Sequence, residues 1–310
     1  MKTISTILST LSALLLIALT GRYVSNSWLF FTISSFQVQA AILAFLIAGA
    51  AFLLHRNFAP ALMMTLAVAI GGHGLFMLFE FRQEPVRTEN AKPLLRFLSF
   101  NIMGNNGPGG PRIADYIIAS GADVVFIQES APIGPEIDRI KSVYPYRLGC
   151  GAQTITCDQS LWSKRPFLRG EVFTASPIYR DRLMLASIDF DGRVVNFANV
   201  HLTKPYFDNF HEIELTQVAR RLDAYPGAMV LAGDFNASIL LTDIRAFLRR
   251  TGLRTAQMEP NTWPVGFPQI GMAIDHVFAR GQVKIGSLAR IPDTIGSNHY
   301  GLISEIVWED

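Results

Sequence analysis

Hydrophobic and polar positions divide this 310-residue chain into two textures. Up to Phe79 the pattern is almost continuously apolar, and its only charged side chains are Lys2, Arg22 and Arg56. Three blocks stand out, at residues 4–20, 37–54 and 58–79. Each approaches the roughly 20 residues that a helix needs to cross a bilayer. Tyr23, Trp28, Phe30 and Phe31 suit the interfacial belt beside such spans. Lys2 ahead of an apolar core also resembles a signal peptide, but two further spans favour an anchored chain. His73, in Gly-Gly-His-Gly within the third block, is read as a neutral imidazole facing another helix.

Residues 84–93, EPVRTENAKP, carry two prolines and no periodicity, and read as a linker. Beyond them short β-like runs alternate with amphipathic helices. Strands are expected at LRFLSFN (95–101), ADVVFIQE (122–129), 159–162, 183–190, 194–200, 228–232, 273–279, 283–290 and 302–308. Helices are expected at 112–120, 135–143, 209–224 and 242–251. That mixture predicts α/β layers around two mixed sheets rather than one doubly wound parallel sheet. The organisation is then a membrane anchor (1–82), a linker (83–94) and one α/β domain (95–310), long enough for a substantial core.

Composition sharpens this picture at two points. Half of the residues are hydrophobic and only 17% are charged, with the excess of apolar residues at the N-terminal end. Formal net charge is +2 and the basic residues are scattered, so the footprint expected for a duplex-DNA binder is missing. Cys150 and Cys157 are the only cysteines, and a pair closing a small loop suits an oxidising compartment. Two unpaired thiols are the alternative. The basic residues flanking the third span argue for the opposite sidedness, but large domains translocate despite such charges. An extracytoplasmic C-terminal domain is the favoured reading.

Chemistry concentrates at strand ends. In VLAGDFNAS (230–238) a buried strand ends at Gly233, and Asp234 and Asn236 emerge two residues apart on one face. A calcium loop fails here, because Ile239 stands where glycine is needed and Arg245 where the bidentate Glu belongs. The pattern recurs: Asn101 ends LSFN, Glu129 ends VVFIQE, His201 ends FANVH, Asp275 and His276 lie in AIDHVFA, and Asn298 and His299 lie in GSNH. Singly, each is explained by a turn, a cap or a surface charge.

The ordered set LSFN, IQE, NVHL, GDFN, IDHVF and SNH resembles the motif series of the endonuclease/exonuclease/phosphatase superfamily, the deoxyribonuclease-I-like fold. SLWSKRP (160–166) and TWP (262–264) fit the same series. The resemblance implies a four-layered α/β sandwich with two mixed central sheets, here preceded by three transmembrane helices. It also implies hydrolysis of a phosphodiester, phosphomonoester or pyrophosphate with a divalent cation, Mg2+ or alternatively Mn2+. Glu129 is the expected metal ligand, a hard carboxylate suited to magnesium. Asn101 and Asn236 would orient phosphate oxygens or water, and Asp234 would activate the attacking water. Asp275 would fix the tautomer of His299, with His201 as a second imidazole on the phosphate. Which imidazole is the acid stays open. The family pattern has Ser-Asp-His where this chain has Ser297-Asn298-His299. Asn298 can still offer a carbonyl to metal or water, but without charge, so weakened metal use is expected.

A membrane tether raises the local concentration of substrates in the same bilayer. Similar three-span family members are thought to act on lipid-linked pyrophosphates. The preferred substrate is therefore a lipid-linked phosphate at a bacterial-type inner membrane. An extracytoplasmic nuclease is the alternative, and a weakened binding or sensor module is the rival from another class. No protein partner is signalled.

Overall fold

The computed structural model describes residues 1–25, 27–86 and 92–309. The middle of the expected linker, residues 87–91, lies outside them. Two compact units are present. One comprises Met1–Phe81 with the short segments Pro205–Asn209 and Ser238–Arg245; the other comprises Arg82–Lys204, Phe210–Ala237 and Ala246–Asp310.

The first unit holds α1 (Lys2–Thr20), the short α2 (Phe31–Ser35), α3 (Gln37–Leu54) and α4 (Phe58–Phe79). With its last turn, α1 gives a span of Lys2–Tyr23; it and α3 and α4 are long and apolar enough to cross a membrane. The chain is a multi-pass membrane protein. Asn57 starts α4 by accepting a hydrogen bond from the Ala59 N–H at 3.0 Å. Helix α3 turns Ala41, Ala44, Ala48 and Ala51 inward, and such small side chains let helices approach closely. Ser5 and Ser12 of α1 use that proximity, donating to the Ala51 and Ala44 carbonyls at 2.8 and 3.0 Å. Leu11, Leu14, Ile17, Leu43, Leu46 and Val68 point outward, as lipid-facing positions should.

The second unit is built on two six-stranded mixed sheets. The first contains β1 (Leu95–Asn101), β2 (Val124–Gln128), β3 (Tyr146–Gly149), β4 (Gln159–Ser163), β11 (Val283–Arg290) and β12 (Leu302–Trp308), in the order β11-β12-β1-β2-β4-β3. The second contains β5 (Phe167–Phe173), β6 (Leu183–Phe190), β7 (Arg193–His201), β8 (Met229–Asp234), β9 (Arg254–Thr255) and β10 (Asp275–Arg280), in the order β5-β6-β7-β8-β10-β9. Each sheet has one parallel pair at its centre, β1 with β2 and β7 with β8. The sheets face each other across one core in which Phe97, Phe126 and Phe197 meet, the first two edge to face at 4.7 Å. On the outer face of the first sheet, α5 (Gly110–Ala119) and α6 (Ile137–Lys141) cover Leu98, Phe100, Val125 and Ile127. Helices α7 (Phe210–Leu222) and α8 (Thr242–Thr251) serve the second sheet, where Phe247 packs on Phe235 and Phe235 on Phe278 of β10. The result is the four-layered α/β sandwich.

The structure differs from expectation at one helix, three edge strands and the start of the linker. The helix expected at 135–143 is a 3-10 turn, Ala131–Glu136, followed by α6, because Pro132 and Pro135 sit in the leading turns. Edge strands β3 and β5, and the two-residue β9, lack the alternation that would have marked them. Gln83, read as linker, is buried; its amide donates to the Ile285 carbonyl at 2.7 Å and accepts from the Ile285 N–H at 3.0 Å.

The central pair of the second sheet requires one glycine. Gly233 has φ +142°, and a Cβ there would lie 1.9 Å from the Val200 carbonyl oxygen. Gly233→Ala therefore forces β7 and β8 apart, at a cost above about 1 kcal/mol. The denaturation midpoint of the detergent-solubilised protein should fall accordingly; an unchanged midpoint would contradict this geometry.

Candidate active site

The polar strand ends of both sheets converge. In the second sheet, register places His201 opposite Asp234 and Asp234 opposite Asp275, so β7, β8 and β10 deliver them as one row. In the first sheet, Asn101 lies opposite Gln128, and Glu129 follows directly. Glu129 (φ +55°) and Asn236 (φ +51°) both occupy the left-handed region, which is uncommon for non-glycine residues and turns each out of its strand.

One amide joins the two sets. Asn101 Nδ2 donates to Asp234 Oδ2 at 2.8 Å and to Glu129 Oε1 at 3.2 Å. Its Oδ1 accepts from the Met103 N–H at 3.0 Å, so this amide is fully engaged with protein groups. Glu129 Oε2 accepts from the Gly104 N–H at 2.6 Å. Asp234 Oδ1 accepts from the Asn236 N–H at 2.7 Å, and Asn236 Nδ2 donates to the Leu202 carbonyl at 2.9 Å and to Asp234 Oδ2 at 3.2 Å. Both asparagines thus spend their amide hydrogens on holding the site together. His299 Nδ1 meets Asp275 Oδ2 at 2.9 Å, and its Nε2 lies 3.9 Å from Asp234 Oδ2. His201 Nε2 lies 3.8 Å from the same oxygen.

Asp234, Asp275 and His299 offer ligand atoms that all lie within 4.8 Å of one another, and all three residues are buried. Asp275 Oδ1 is buried with no hydrogen-bond partner among the described residues. Buried carboxylate oxygens of this kind are costly unless something positive meets them, and oxygen-rich donors suit a hard divalent cation. The residues present fit such an ion. Glu129 stands outside this group but shares Asn101 with Asp234. Asn298 is exposed beside His299.

Residues 98–299 match the Endonuclease/Exonuclease/phosphatase family. The chain belongs to that family. None of the curated proteins matches it in sequence. Among solved structures it is similar to Danio rerio TDP2 complexed with single-strand DNA product, at 18% identity and TM-score 0.55, covering 68% of this chain and 98% of that one. It is also similar to Staphylococcus aureus beta toxin with bound magnesium ions, at 14% identity and TM-score 0.52, covering 70% and 99%. A third is sphingomyelinase C from Streptomyces griseocarneus, at 18% identity and TM-score 0.50, covering 68% and 98%. At these identities the likeness establishes fold. The family and the buried acid–imidazole cluster together identify a metal-dependent hydrolase of phosphoester bonds.

Within this family member, charge is arranged by burial and pairing. Burial raises the Asp234 carboxyl above its ordinary value, Asp275 adds to the rise, and His299 and His201 only partly oppose it. Burial alone would discharge His299, but Asp275, Asp234 and Glu129 outweigh it and push the imidazole up to about 9. Glu129 is lowered: burial opposes ionisation, but the Gly104 N–H, the Asn101 amide and the two imidazoles prevail.

Sequence reading missed the partner of His201. Asp158 Oδ2 lies 3.4 Å from His201 Nδ1 and is gripped by the Arg182 fork at 2.7 and 3.0 Å. Asp158 directly follows the Cys150–Cys157 disulfide, outside any alternating run. Ser297 and Thr262 were also unassigned. Ser297 Oγ donates to the Asn101 carbonyl at 2.7 Å, and Thr262 Oγ1 accepts from the Ile274 and Asp275 N–H groups at 3.2 Å. Their motifs, SNH and TWP, were the available signals.

Asp158 gives a pH prediction. Burial would raise its carboxyl, but His201 and Arg182 outweigh that and bring it down to about 2 from 3.8. A depressed carboxylate stabilises the fold above its unfolded value, and the contribution is lost as pH falls from about 4 through about 2. It amounts to roughly 2 kcal/mol at neutral pH. In acid titrations of stability, Asp158→Asn should flatten the limb between pH 4 and 2; an unchanged limb would refute the pairing.

Proposed function

We propose that this is a membrane-anchored, magnesium-dependent phosphoesterase that hydrolyses a lipid-linked phosphate ester or pyrophosphate. The catalytic domain (95–310) would face the extracytoplasmic side of a bacterial-type inner membrane, tethered by residues 1–82 through a linker that begins after Gln83. One observation carries the reading: the buried Asp234–Asp275–His299 cluster occurs in a chain with three membrane-spanning helices. Solved relatives are named for a DNA product and for sphingomyelin cleavage, so the fold leaves both substrate classes open. The spans favour lipid, because substrate and enzyme then share one surface. The Cys150–Cys157 disulfide supports placement outside the cytoplasm.

Glu129 and Asp275 would hold the cation, with Asn298 offering a neutral oxygen, which leaves Asp234 for the water. Bound there, magnesium or manganese supplies Lewis-acid charge to a phosphate oxygen and the departing oxyanion. Asp234, held by the Asn101 and Asn236 amides, would take a proton from the attacking water. As the water oxygen bonds to phosphorus, the bond to the leaving oxygen breaks. His299, whose Nδ1 meets Asp275, would donate the proton that oxygen needs. His201, 3.4 Å from Asp158, would donate a hydrogen bond beside the phosphate. Asn101 and Asn236 fix the carboxylates so that little reorganisation accompanies the step.

The test compares full-length protein with magnesium on a lipid phosphate in mixed micelles, on single-stranded DNA and on a soluble bis-aryl phosphodiester. Lipid phosphate should give the highest kcat/KM; preference for DNA would transfer the assignment to a nuclease. Glu129→Ala and His299→Ala should each lower kcat by about 10²-fold or more, and turnover insensitive to both would dismiss the site. Asn298→Asp should lower the magnesium concentration giving half-maximal activity. A periplasm-dependent reporter fused after Asp310 should be active, and a cytoplasm-dependent one silent.

A further inference from the structure

The helical unit carries its own polar cluster. Arg22 and Tyr23 close the first span, Gln37 opens α3, and His73 lies two turns before the end of α4. They meet at the end from which α4 leads onward to the rest of the chain. Buried Gln37 donates through Nε2 to the Ile70 carbonyl at 2.8 Å and to the Tyr23 hydroxyl at 3.2 Å. The Tyr23 hydroxyl meets His73 Nδ1 at 2.7 Å. Arg22 Nη1 donates to Gln37 Oε1, and Nη2 to the Leu240 carbonyl, both at 2.6 Å.

The charge on Arg22 is the unusual feature. Arg245 in the same unit pairs with Glu80 and also donates to the Met77 carbonyl. Arg22 has only neutral acceptors, an amide and a carbonyl, and no carboxylate partner among the described residues. Two of its five N–H groups are used, and the side chain is only partly buried. A cation at the boundary of a span stands at headgroup depth, where the abundant anion is lipid phosphate. A guanidinium fork held in one orientation by Gln37 and Leu240 is pre-organised for phosphate oxygens. Phe76 and Phe79, exposed on α4 at this end, offer apolar surface for an acyl chain.

We propose that Arg22, steadied by Gln37, Tyr23 and His73, binds the phosphate group of a membrane lipid. The site lies wholly in the helical unit and is independent of the phosphoesterase assignment. Its source could be a bulk anionic phospholipid or a lipid phosphomonoester, and the chemistry is shared.

Native mass spectrometry of delipidated full-length protein in detergent tests this, with dioleoyl phosphatidic acid, dioleoyl phosphatidylglycerol and uncharged dioleoylglycerol as probes. Phosphatidic acid should bind saturably with one molecule per chain, and dioleoylglycerol should not. Arg22→Gln should raise Kd by at least about tenfold, the loss expected for one charge-assisted contact, and Arg22→Lys should restore part of it. Preference for phosphatidic acid over phosphatidylglycerol assigns a phosphomonoester site; equal binding of both assigns a general anionic-lipid site. Equal Kd in wild type and Arg22→Gln, or equal uptake of dioleoylglycerol, overturns the proposal. Should Arg22→Gln not survive purification, wild-type binding decides: about 0.5 M salt must weaken it, and salt-insensitive binding overturns the proposal too.

Discussion

The site depends on the amide of Asn101. One nitrogen donates to Asp234 of the second sheet and to Glu129 of the first, so the two halves of the sandwich are tied at the point where chemistry is arranged. Asparagine is well suited to this position. Aspartate there would add a negative charge among carboxylates, and leucine would strip two partly desolvated carboxylates of a donor. Ser297 extends the tie by bonding the Asn101 carbonyl, and the His299 N–H bonds the same serine oxygen at 3.0 Å. The His299 imidazole is thereby placed by the residue that spaces the carboxylates.

The tie is the last of three layers along the facing inner surfaces. Phe97, Phe126 and Phe197 form an apolar floor; two residues further along each strand come Ser99, Gln128 and Asn199. Gln128 Nε2 donates to Asn199 Oδ1 at 2.7 Å across the interface. Two residues further again come Asn101 and His201, level with Asp234 and Asp275. A period of two keeps every step on the same face, so the gradient from aromatic to amide to ionisable is written in the strands themselves. It was legible in LRFLSFN, VVFIQE and VVNFANVH, whose alternating residues are these layers. The three spans were legible for a related reason, since uninterrupted apolar length needs no tertiary context.

What escaped sequence reading is non-local. Asp158 acts only because Arg182, 24 residues on, and His201 are brought to it, and no local pattern announces that meeting. Strands β3, β5 and β9 are sheet edges, short or partly exposed, and carry neither the continuous burial of β2 and β8 nor a clean alternation. The loops show the same effect in their backbone. Glu129, Asn236 and Ile295 all have positive φ, and for β-branched Ile295 this is strained. Asn106 holds that last turn, donating to the Ile295 carbonyl at 2.9 Å and to the Ile102 carbonyl at 3.3 Å. Conformations their own residue types disfavour persist because the surrounding contacts over-determine them.

The charge balance explains why a cation belongs here. Glu129, Asp158, Asp234 and Asp275 outweigh Arg182 and a protonated His299, so the site is acidic toward a substrate that is itself an anion. Asp275 Oδ1, buried and without a hydrogen-bond partner among the described residues, concentrates that excess in one place. A dication reverses the sign locally, which a protein built only from these side chains cannot do. Asn298 bears on the same balance: with a neutral amide beside His299, the site holds one carboxylate fewer than the family pattern supplies. Less charge then draws the metal in, and less charge repels the phosphate once it arrives.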